Sequence, residues 1–376
     1  MSKPKHKLLV IGQTPPPYGG QALMTQRLVN ATFSGFEVIH IRLNFSTSFL
    51  EVGKASLSKV IHLFEIIFRV WLVRIKNRNV ILYYMPAGPN SVPVIRDLLL
   101  LAFIRPVFSQ TIFHFRAAGI SHFIKSKSKF FQFLCKKIYG RPTVGIQLSS
   151  LNPSDAAFFS SKSIFYVPNG LEDKLNSIHK RDELTIHNKD KNEINILFVG
   201  VLREDKGFTW LIESLHLLKT KGISNFVLTV VGEFNSKTYE KKVKDLIKQC
   251  ALCENVNFLG VLTGEKKWKC FEVADLLCFP TFFDCESFGN VLIEAFMFEL
   301  PVIGSEWRGI PDIISDDVGF LVEIKNIEQL AEKIALLIKN ETLRKALGQN
   351  ARRRYIENYT LDKYLNRMEH IIENIK

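Results

Sequence analysis

Short apolar runs alternate with longer amphipathic stretches along most of this chain. The runs Lys7–Gly12, Val80–Tyr84, Ile194–Gly200 and Leu276–Phe279 are each followed by Gly, Pro or polar residues, as buried strands are. The stretches between them repeat apolar positions at helical spacing, which predicts helices with one buried face. Strands that alternate with helices form parallel sheets covered by helices, so the pattern predicts the α/β class.

The alternation of strands and helices falls into two series. The first series fills residues 1–170 and the second fills residues 194–360, while residues 171–193 are polar and charged, which is typical of a linker. A chain of 376 residues is long enough for two domains with separate cores. We therefore predict two doubly wound, Rossmann-like domains.

The most informative stretch is FPTFFDCESFGNVLIEAFMFELPVIG, residues 279–304. It predicts a strand, a loop, a helix that starts at Ser287–Asn290 and ends near Phe298, and a second strand. Ligands of parallel sheets bind beyond the carboxyl ends of the strands, where helix N-termini point. The backbone N–H groups of Phe288, Gly289 and Asn290 therefore predict an anion site, and Gly289 allows a ligand to approach the backbone.

Two carboxylates flank this predicted anion site. Glu286 precedes the helix and Glu294 lies inside it, eight residues later, which is roughly 12 Å at helical rise. That separation is too large for both carboxylates to act on one atom. It suits a long ligand that is held at both ends, with its phosphates between them.

The segment ESFGNVLIE, residues 286–294, resembles the signature of the retaining GT-B-fold glycosyltransferases of glycosyltransferase family four. The resemblance implies a GT-B fold, in which two domains face each other across a cleft and a last helix, about 361–376, packs back on the first domain. It also implies that Glu286 lies by the donor sugar and that Glu294 binds the nucleotide ribose. The turn formed by Ser287, Phe288, Gly289 and Asn290 would then hold the diphosphate.

Further donor-site candidates follow other predicted strands of the second series. Arg203 and Lys206 lie in the loop after Ile194–Gly200, and the family has a basic pair at this spacing that neutralises the donor diphosphate. Gly232 and Glu233 end another strand and would line the same cleft. A surface loop with two cations is the alternative interpretation of Arg203 and Lys206.

The first series contributes candidates at two places. Gly19 and Gly20 lie in a Gly- and Pro-rich loop between the first strand and the first helix, where the family has a glycine loop facing the diphosphate. After the fourth predicted strand the family often has a His-x-His-Gly pattern, and this chain has His114 and Arg116 there. Arg116 is a candidate cation near the phosphates, and His114 is a candidate active-site residue or, equally, a core histidine.

Charge distinguishes the two halves of the chain. Residues 1–170 carry 21 Lys and Arg against five Asp and Glu, a net charge of +16, while the rest of the chain has a net charge of −3. Such a basic half predicts an anionic surface partner. We assign the anionic membrane contact to Ile124–Arg141, a predicted helix that interleaves lysines with aromatic residues. No nucleic-acid-binding motif accompanies these residues, so we expect no nucleic acid partner.

The resemblance implies a retaining glycosyltransferase with a UDP- or GDP-sugar as donor, and we expect no cofactor. We expect no metal ion, since the sequence has no Asp-x-Asp motif and Arg203 and Lys206 offer protein-borne cations instead. By resemblance, the acceptor is a glycan or a lipid-linked intermediate of lipopolysaccharide O-antigen or capsule biosynthesis. No apolar run of 18 residues occurs, so we expect no transmembrane helix. The basic first half predicts a peripheral location on the cytoplasmic face of the bacterial inner membrane. The alternative is a non-transferring GT-B enzyme such as a nucleotide-sugar epimerase.

Overall fold

A computed structural model describes residues 6–16, 19–45, 57–77, 79–175 and 193–375. The chain divides into two compact units, one formed by Met1–Asn169 with Tyr364–Lys376 and the other by Gly170–Lys363. Most of the predicted linker, residues 176–192, lies outside the described residues.

The first unit contains a six-stranded parallel sheet in the order β2-β1-β3-β4-β5-β6. Its central strands are buried because helices cover the sheet, whereas the edge strand Ser163–Tyr166 is exposed. The strands are β1 (His6–Gly12), β2 (Phe36–Arg42), β3 (Val80–Tyr84), β4 (Thr111–Phe115), β5 (Val144–Gln147) and β6 (Ser163–Tyr166).

After the first helix, the helices of this unit bury residues in one shared core. They are α1 (Gly20–Asn30), α2 (Leu57–Lys76), α3 (Ser91–Ile104), α4 (Ile120–Lys125), α5 (Lys129–Tyr139) and the short α6 (Asp155–Phe158). The prediction of one basic helix across Ile124–Arg141 is wrong. The Ser128 side chain accepts a hydrogen bond from the backbone N–H of Phe131 and thereby starts α5 as a separate helix.

The second unit also has a six-stranded parallel sheet, in the order β12-β11-β10-β7-β8-β9. Chain order runs from β7 outward to β9 on one side and from β10 outward to β12 on the other. The strand order therefore reverses between the neighbours β7 and β10. The strands are β7 (Ile194–Val199), β8 (Phe226–Val231), β9 (Val256–Phe258), β10 (Leu276–Phe279), β11 (Val302–Ser305) and β12 (Gly319–Val322).

Helices of the second unit follow its strands in alternation. They are α7 (Phe208–Thr220), α8 (Lys237–Gln249), α9 (Gly264–Glu272), α10 (Asn290–Met297), α11 (Ile327–Lys339), α12 (Glu341–Asn358) and the start of α13 (Leu361–Glu373). Helix α13 continues into the first unit, where Glu369 accepts hydrogen bonds from the backbone N–H and the hydroxyl of Ser34 at 2.7 and 2.8 Å.

The predicted α/β class with two Rossmann-like units is confirmed. Within the described part of the chain, no helix has the length and apolar character needed to cross a membrane.

Candidate functional site

The candidate site of the second unit lies at the carboxyl ends of β7 and β10. These strands pair in parallel, so the loops that follow them emerge side by side. The loop after β7 carries Arg203 and Lys206, and the loop after β10 carries Glu286 to Gly289. Because the strand order reverses between β7 and β10, this edge is where doubly wound sheets bind their ligands.

Backbone contacts join the two loops. The N–H of Phe282 donates to the carbonyl of Asp205 at 2.8 Å. Gly207 has a left-handed backbone with φ of 76°, and a Cβ there would lie 2.0 Å from the carbonyl oxygen of Pro280. Only glycine permits this approach, so the loops are held in a fixed relation just before α7.

Lys206 and Glu286 form an ion pair across these loops. The Lys206 Nζ lies 2.5 Å from Oε2 of Glu286, and the two side chains are only 15% and 13% exposed. The Lys206 ammonium also lies 4.9 Å and 5.3 Å from the ring centres of Phe283 and Phe279, within cation–π range. The partly buried cation of Lys206 is thereby fixed against Glu286, which lies four residues before α10 begins.

Arg203 is held by a neighbour that the sequence did not single out. Its Nη2 donates to Oδ2 of Asp205 at 2.7 Å, and its guanidinium carbon lies 4.4 Å from the ring centre of Phe283. Phe283 therefore contacts both cations, Arg203 and Lys206. The two basic side chains share one aromatic platform at the edge of the sheet.

The turn before α10 is buried and tightly packed. Gly289 caps the helix with φ of 84°, so α10 begins at Asn290, the last residue of the predicted start at Ser287–Asn290. Phe288 is buried with its ring edge-on to Tyr359 at 5.9 Å, and Ser287 is buried beside it. The aromatic anchor fixes the orientation of the helix N-terminus, whose N–H groups carry partial positive charge.

Glu294 is paired with a lysine that the sequence analysis missed. The Nζ of Lys267, on α9, donates to Oε1 of Glu294 at 2.7 Å, and the two side chains are largely buried. Lys267 also lies 4.7 Å from the ring centre of Trp268. Nothing in the sequence links positions 267 and 294, because their contact depends on how α9 and α10 pack. The ribose contact of Glu294 stays a prediction.

Gly232 and Glu233 follow β8, the strand beside β7. A Cβ on Gly232 would lie 1.9 Å from the carbonyl oxygen of Gly200, so glycine is required where the ends of β7 and β8 approach. The Glu233 side chain is exposed, while its carbonyl accepts a hydrogen bond from the N–H of Leu202 at 2.8 Å. Both residues thus lie at the same edge as Arg203 and Lys206.

In the first unit, Gly19 and Gly20 lie at the start of α1. Gly19 is the N-cap, and its carbonyl accepts the N–H of Leu23 at 3.0 Å. Gly20 is exposed and begins the helix. The glycines follow β1, whose neighbours in the sheet are β2 and β3, so they lie where the strand order of this sheet reverses.

His114 is a fully buried residue on β4. Its Nδ1 lies 2.6 Å from the hydroxyl of Tyr83 on the neighbouring strand β3. Burial, with a smaller contribution from the charge of Arg116, holds the pKa of His114 well below its usual value. The imidazole is therefore neutral at physiological pH and is an integral part of the sheet interior.

Arg116 is also buried, and its terminal nitrogens are engaged within the first unit. Nη1 donates to Oδ1 of Asn169 at 2.7 Å, and Nη2 donates to the hydroxyl of Tyr364 on α13 at 2.5 Å. The guanidinium therefore connects β4 with the returning C-terminal helix. A contact of Arg116 or His114 with a donor stays a prediction.

The structure thus collects Arg203, Lys206, Gly232, Glu233 and the Glu286–Asn290 turn at one edge of the second sheet. Fixed cations and helix N–H groups at a strand edge can bind a diphosphate. Among the residues that the structure describes, no three His, Cys, Asp or Glu side chains form a cluster able to hold a metal ion.

Comparison with known proteins agrees with this geometry. Residues 179–354 match the family Glycosyl transferases group 1. The chain is 31% identical over 192 residues to the capsular polysaccharide biosynthesis glycosyltransferase CapM of Staphylococcus aureus, covering 50% of this chain and 48% of CapM. It is 30% identical over 184 residues to the O-antigen chain mannosyltransferase C of Escherichia coli, covering 47% of each.

A third relative is the "GalNAc-alpha-(1->4)-GalNAc-alpha-(1->3)-diNAcBac-PP-undecaprenol alpha-1,4-N-acetyl-D-galactosaminyltransferase" of Campylobacter jejuni. It is 32% identical over 184 residues, which cover 48% of each chain. The chain thus matches about half the length of these curated relatives.

Solved structures share the fold over nearly the whole chain. Sucrose-phosphate synthase from Thermosynechococcus elongatus superposes with a TM-score of 0.74 at 18% identity and covers 98% of both chains. Anabaena HepE, solved in complex with UDP, superposes with a TM-score of 0.72 at 16% identity, covering 97% of this chain and 99% of HepE. The predicted GT-B fold is confirmed. The match to the family Glycosyl transferases group 1 covers the Lys206–Glu286 pair and the turn before α10.

Proposed function

We propose that this protein transfers a sugar from a nucleoside diphosphate sugar to a glycan or lipid-linked acceptor during assembly of a bacterial O-antigen or capsule. The observation that carries the proposal is the Lys206–Glu286 pair at the ends of β7 and β10, within the residues that match the family Glycosyl transferases group 1. The names of the capsule and O-antigen relatives support the polysaccharide context.

The reaction moves negative charge onto the leaving diphosphate as the sugar–phosphate bond breaks. Lys206 and Arg203 are already fixed by their partners Glu286 and Asp205, so little reorganisation is needed when that charge develops. The N–H groups at the start of α10 add a further positive potential. We infer that these groups stabilise the leaving group without a metal ion.

Glu286 has two roles in this proposal. Its carboxylate holds Lys206 at 2.5 Å, and we assign to it the position beside the donor sugar that the resemblance implies. We name no nucleophilic carboxylate, so the proposed course is a same-face displacement assisted by the leaving phosphate, with retention of anomeric configuration.

The donor is proposed to be a UDP- or GDP-sugar. Glu294 accepts a hydrogen bond from Lys267 at one carboxylate oxygen, and this contact fixes the position of the carboxylate. A carboxylate fixed in this way can accept hydrogen bonds from the hydroxyls of a ribose. The complex of HepE with UDP supports a uridine nucleotide for a protein of this fold. UDP is therefore the first ligand to test.

The acceptor is proposed to be lipid-linked, in line with the undecaprenol-linked substrate in the name of the Campylobacter jejuni relative. The net charge of +16 on residues 1–170 supports an anionic membrane surface as partner of the first unit, on the cytoplasmic side. A nucleotide-sugar epimerase would need neither an acceptor nor a membrane surface.

The test is incubation with UDP- and GDP-sugars together with lipid-linked acceptors, followed by assay of released nucleotide and of labelled sugar on the lipid. Acceptor-dependent nucleotide release with the sugar recovered on the acceptor is the expected result. Conversion of one nucleotide sugar into another without an acceptor would establish the epimerase instead.

A further inference from the structure

Two neighbouring helices of the first unit are apolar on their outer as well as their inner sides. On α2 the inner residues Leu63, Ile66 and Val70 are buried in the core, as are Val94 and Leu98 on α3. The outer residues, here named the outer face of α2 and α3, are Ile61, Phe64, Phe68, Trp71, Leu72 and Ile75 on α2 and Val92, Ile95, Leu99 and Phe103 on α3.

The outer face accounts for ten of the 22 large hydrophobic side chains exposed in the described part of the chain. Phe64 and Phe68 are 60% and 64% exposed, and Ile75 is 73% exposed. On each helix the residues recur every three or four positions, so they form a continuous stripe. A contiguous apolar surface of this extent marks an interaction site.

The two stripes belong to one surface. Helix α2 packs against α3, and the indole Nε1 of Trp71 donates to the carbonyl oxygen of Phe103 at 3.2 Å. Helix α3 also packs against α5, where Phe130 and Phe133 are exposed. The apolar surface therefore borders the lysines of α5.

Charge indicates what this surface binds. From Leu57 to Arg141 the sequence has 14 Lys and Arg residues and only two acidic residues, Glu65 and Asp97. Glu65 is paired with Arg69 at 2.5 Å, and Asp97 is fully buried and paired with Arg96 at 2.6 Å. A second copy of this chain would therefore bring two basic surfaces together, whereas an anionic lipid bilayer offers complementary charge and an apolar interior.

We propose that the outer face of α2 and α3 inserts into the headgroup region of an anionic bilayer, with the lysines of α5 at its border contacting lipid phosphates. This inference rests on the membrane location in the proposed function and is independent of the transfer reaction. It assigns the main contact to the apolar stripes, and gives the basic helix α5 a supporting, salt-sensitive part.

Salt separates the two contributions. Co-sedimentation is measured with mixed phosphatidylglycerol and phosphatidylcholine vesicles at rising salt. Attraction between surface charges is screened at about 1 M salt, where the Debye length is about 3 Å, while apolar insertion persists. We expect a salt-resistant fraction of binding that is lost in the variant Ile61→Gln, Phe64→Gln, Phe68→Gln. The expected fall in partition coefficient is about 100-fold, because three large apolar side chains are removed.

The matched control is Val261→Gln, Ile324→Gln, Ile356→Gln, which removes three exposed apolar side chains of the second unit. We expect vesicle binding by this control to equal that of the wild type. Unchanged thermal unfolding of both variants verifies the fold, since surface substitutions rarely change stability by more than about 0.5 kcal/mol.

A conservative variant gives an independent measurement. Trp71 is the tryptophan of the first unit, and Trp210, Trp268 and Trp307 belong to the second. Vesicles with brominated acyl chains should quench the wild-type fluorescence, and Trp71→Phe should abolish that quenching while vesicle binding remains.

Three results would overturn the proposal. The first is full salt-resistant vesicle binding by the variant Ile61→Gln, Phe64→Gln, Phe68→Gln. The second is quenching that persists in Trp71→Phe. The third is a stable wild-type dimer that the triple Gln substitution dissociates and that vesicles leave intact. Calorimetric UDP binding reports separately on the donor site. Failure there would count against the proposed function and leave the vesicle result intact.

Discussion

Replacing Lys206 by Ala tests whether a fixed cation stabilises the leaving diphosphate. Lys206 is the cation with the most restrained surroundings at the strand edge, held by Glu286 at 2.5 Å and by the rings of Phe279 and Phe283. Its side chain lies outside the sheet core, so the fold of the second unit should persist.

The expected loss of turnover is about 10²-fold or more. A unit charge about 4 Å from a phosphate oxygen contributes roughly 4 kcal/mol at an effective dielectric of 20, and only the part that grows in the transition state accelerates the reaction. If roughly two thirds of that interaction develops during bond breaking, about 2.7 kcal/mol is lost, which is about 10²-fold in turnover and lies at the lower end of the range for removing one preorganised donor.

The assay is nucleotide release from the UDP- or GDP-sugar that the wild type turns over. Lys206→Ala also leaves the Glu286 carboxylate without its partner, and that carboxylate would repel the diphosphate. The double variant Lys206→Ala, Glu286→Gln removes this repulsion, and its turnover is compared with that of Glu286→Gln alone, so that the difference isolates the missing cation. Lys242→Ala, which breaks the exposed pair between Lys242 and Glu204 at 2.9 Å, is the matched control and should keep wild-type turnover.

Two outcomes would refute the reasoning. Near wild-type turnover in Lys206→Ala would show that the leaving group does not depend on this cation. Equal turnover of the double variant and of Glu286→Gln alone would show that the loss in Lys206→Ala came from the unpaired carboxylate of Glu286.

The remaining predictions concern the nucleotide, the metal ion and pH. Calorimetry should show weaker UDP binding by Glu294→Ala, whereas Glu286→Ala should retain UDP binding and lose transfer; equal UDP affinity of Glu294→Ala and the wild type would contradict the ribose contact. Transfer should persist in excess chelator, and activity that is lost there and restored by magnesium or manganese would identify a different stabiliser. Because the folded-state pKa of His114 is lowered by burial, stability should fall as pH drops below about 6.5, where only the unfolded imidazole gains a proton. Urea denaturation should show this fall reduced by up to about 1.4 kcal/mol per pH unit in His114→Gln, which can still accept a hydrogen bond from Tyr83; identical pH profiles would argue against it.

Much of the fold could be predicted from local patterns of the sequence. Val80–Tyr84 and Leu276–Phe279 are strands within the predicted bounds, because a short apolar run between turn residues is buried on both faces of a parallel sheet. The start of α10 could be predicted only to within Ser287–Asn290. The left-handed conformation of Gly289 makes Asn290 the first helical residue. The prediction of one helix across Ile124–Arg141 was wrong because the Ser128 side chain caps a new helix. This local side-chain contact competes with continuation of the preceding helix.

The sequence by itself determined which residue types stand at the ends of β7 and β10, and thus that cations, glycine and a helix N-terminus would meet at one sheet edge. Only the tertiary structure decided their partners. The contacts of Glu286 with Lys206, and of Glu294 with Lys267, join residues 80 and 27 positions apart. The sequence likewise could not identify the exposed outer face of α2 and α3, because an apolar residue type does not show whether its side chain packs in a core or remains exposed. Which side of each helix stays uncovered depends on what the fold places against it.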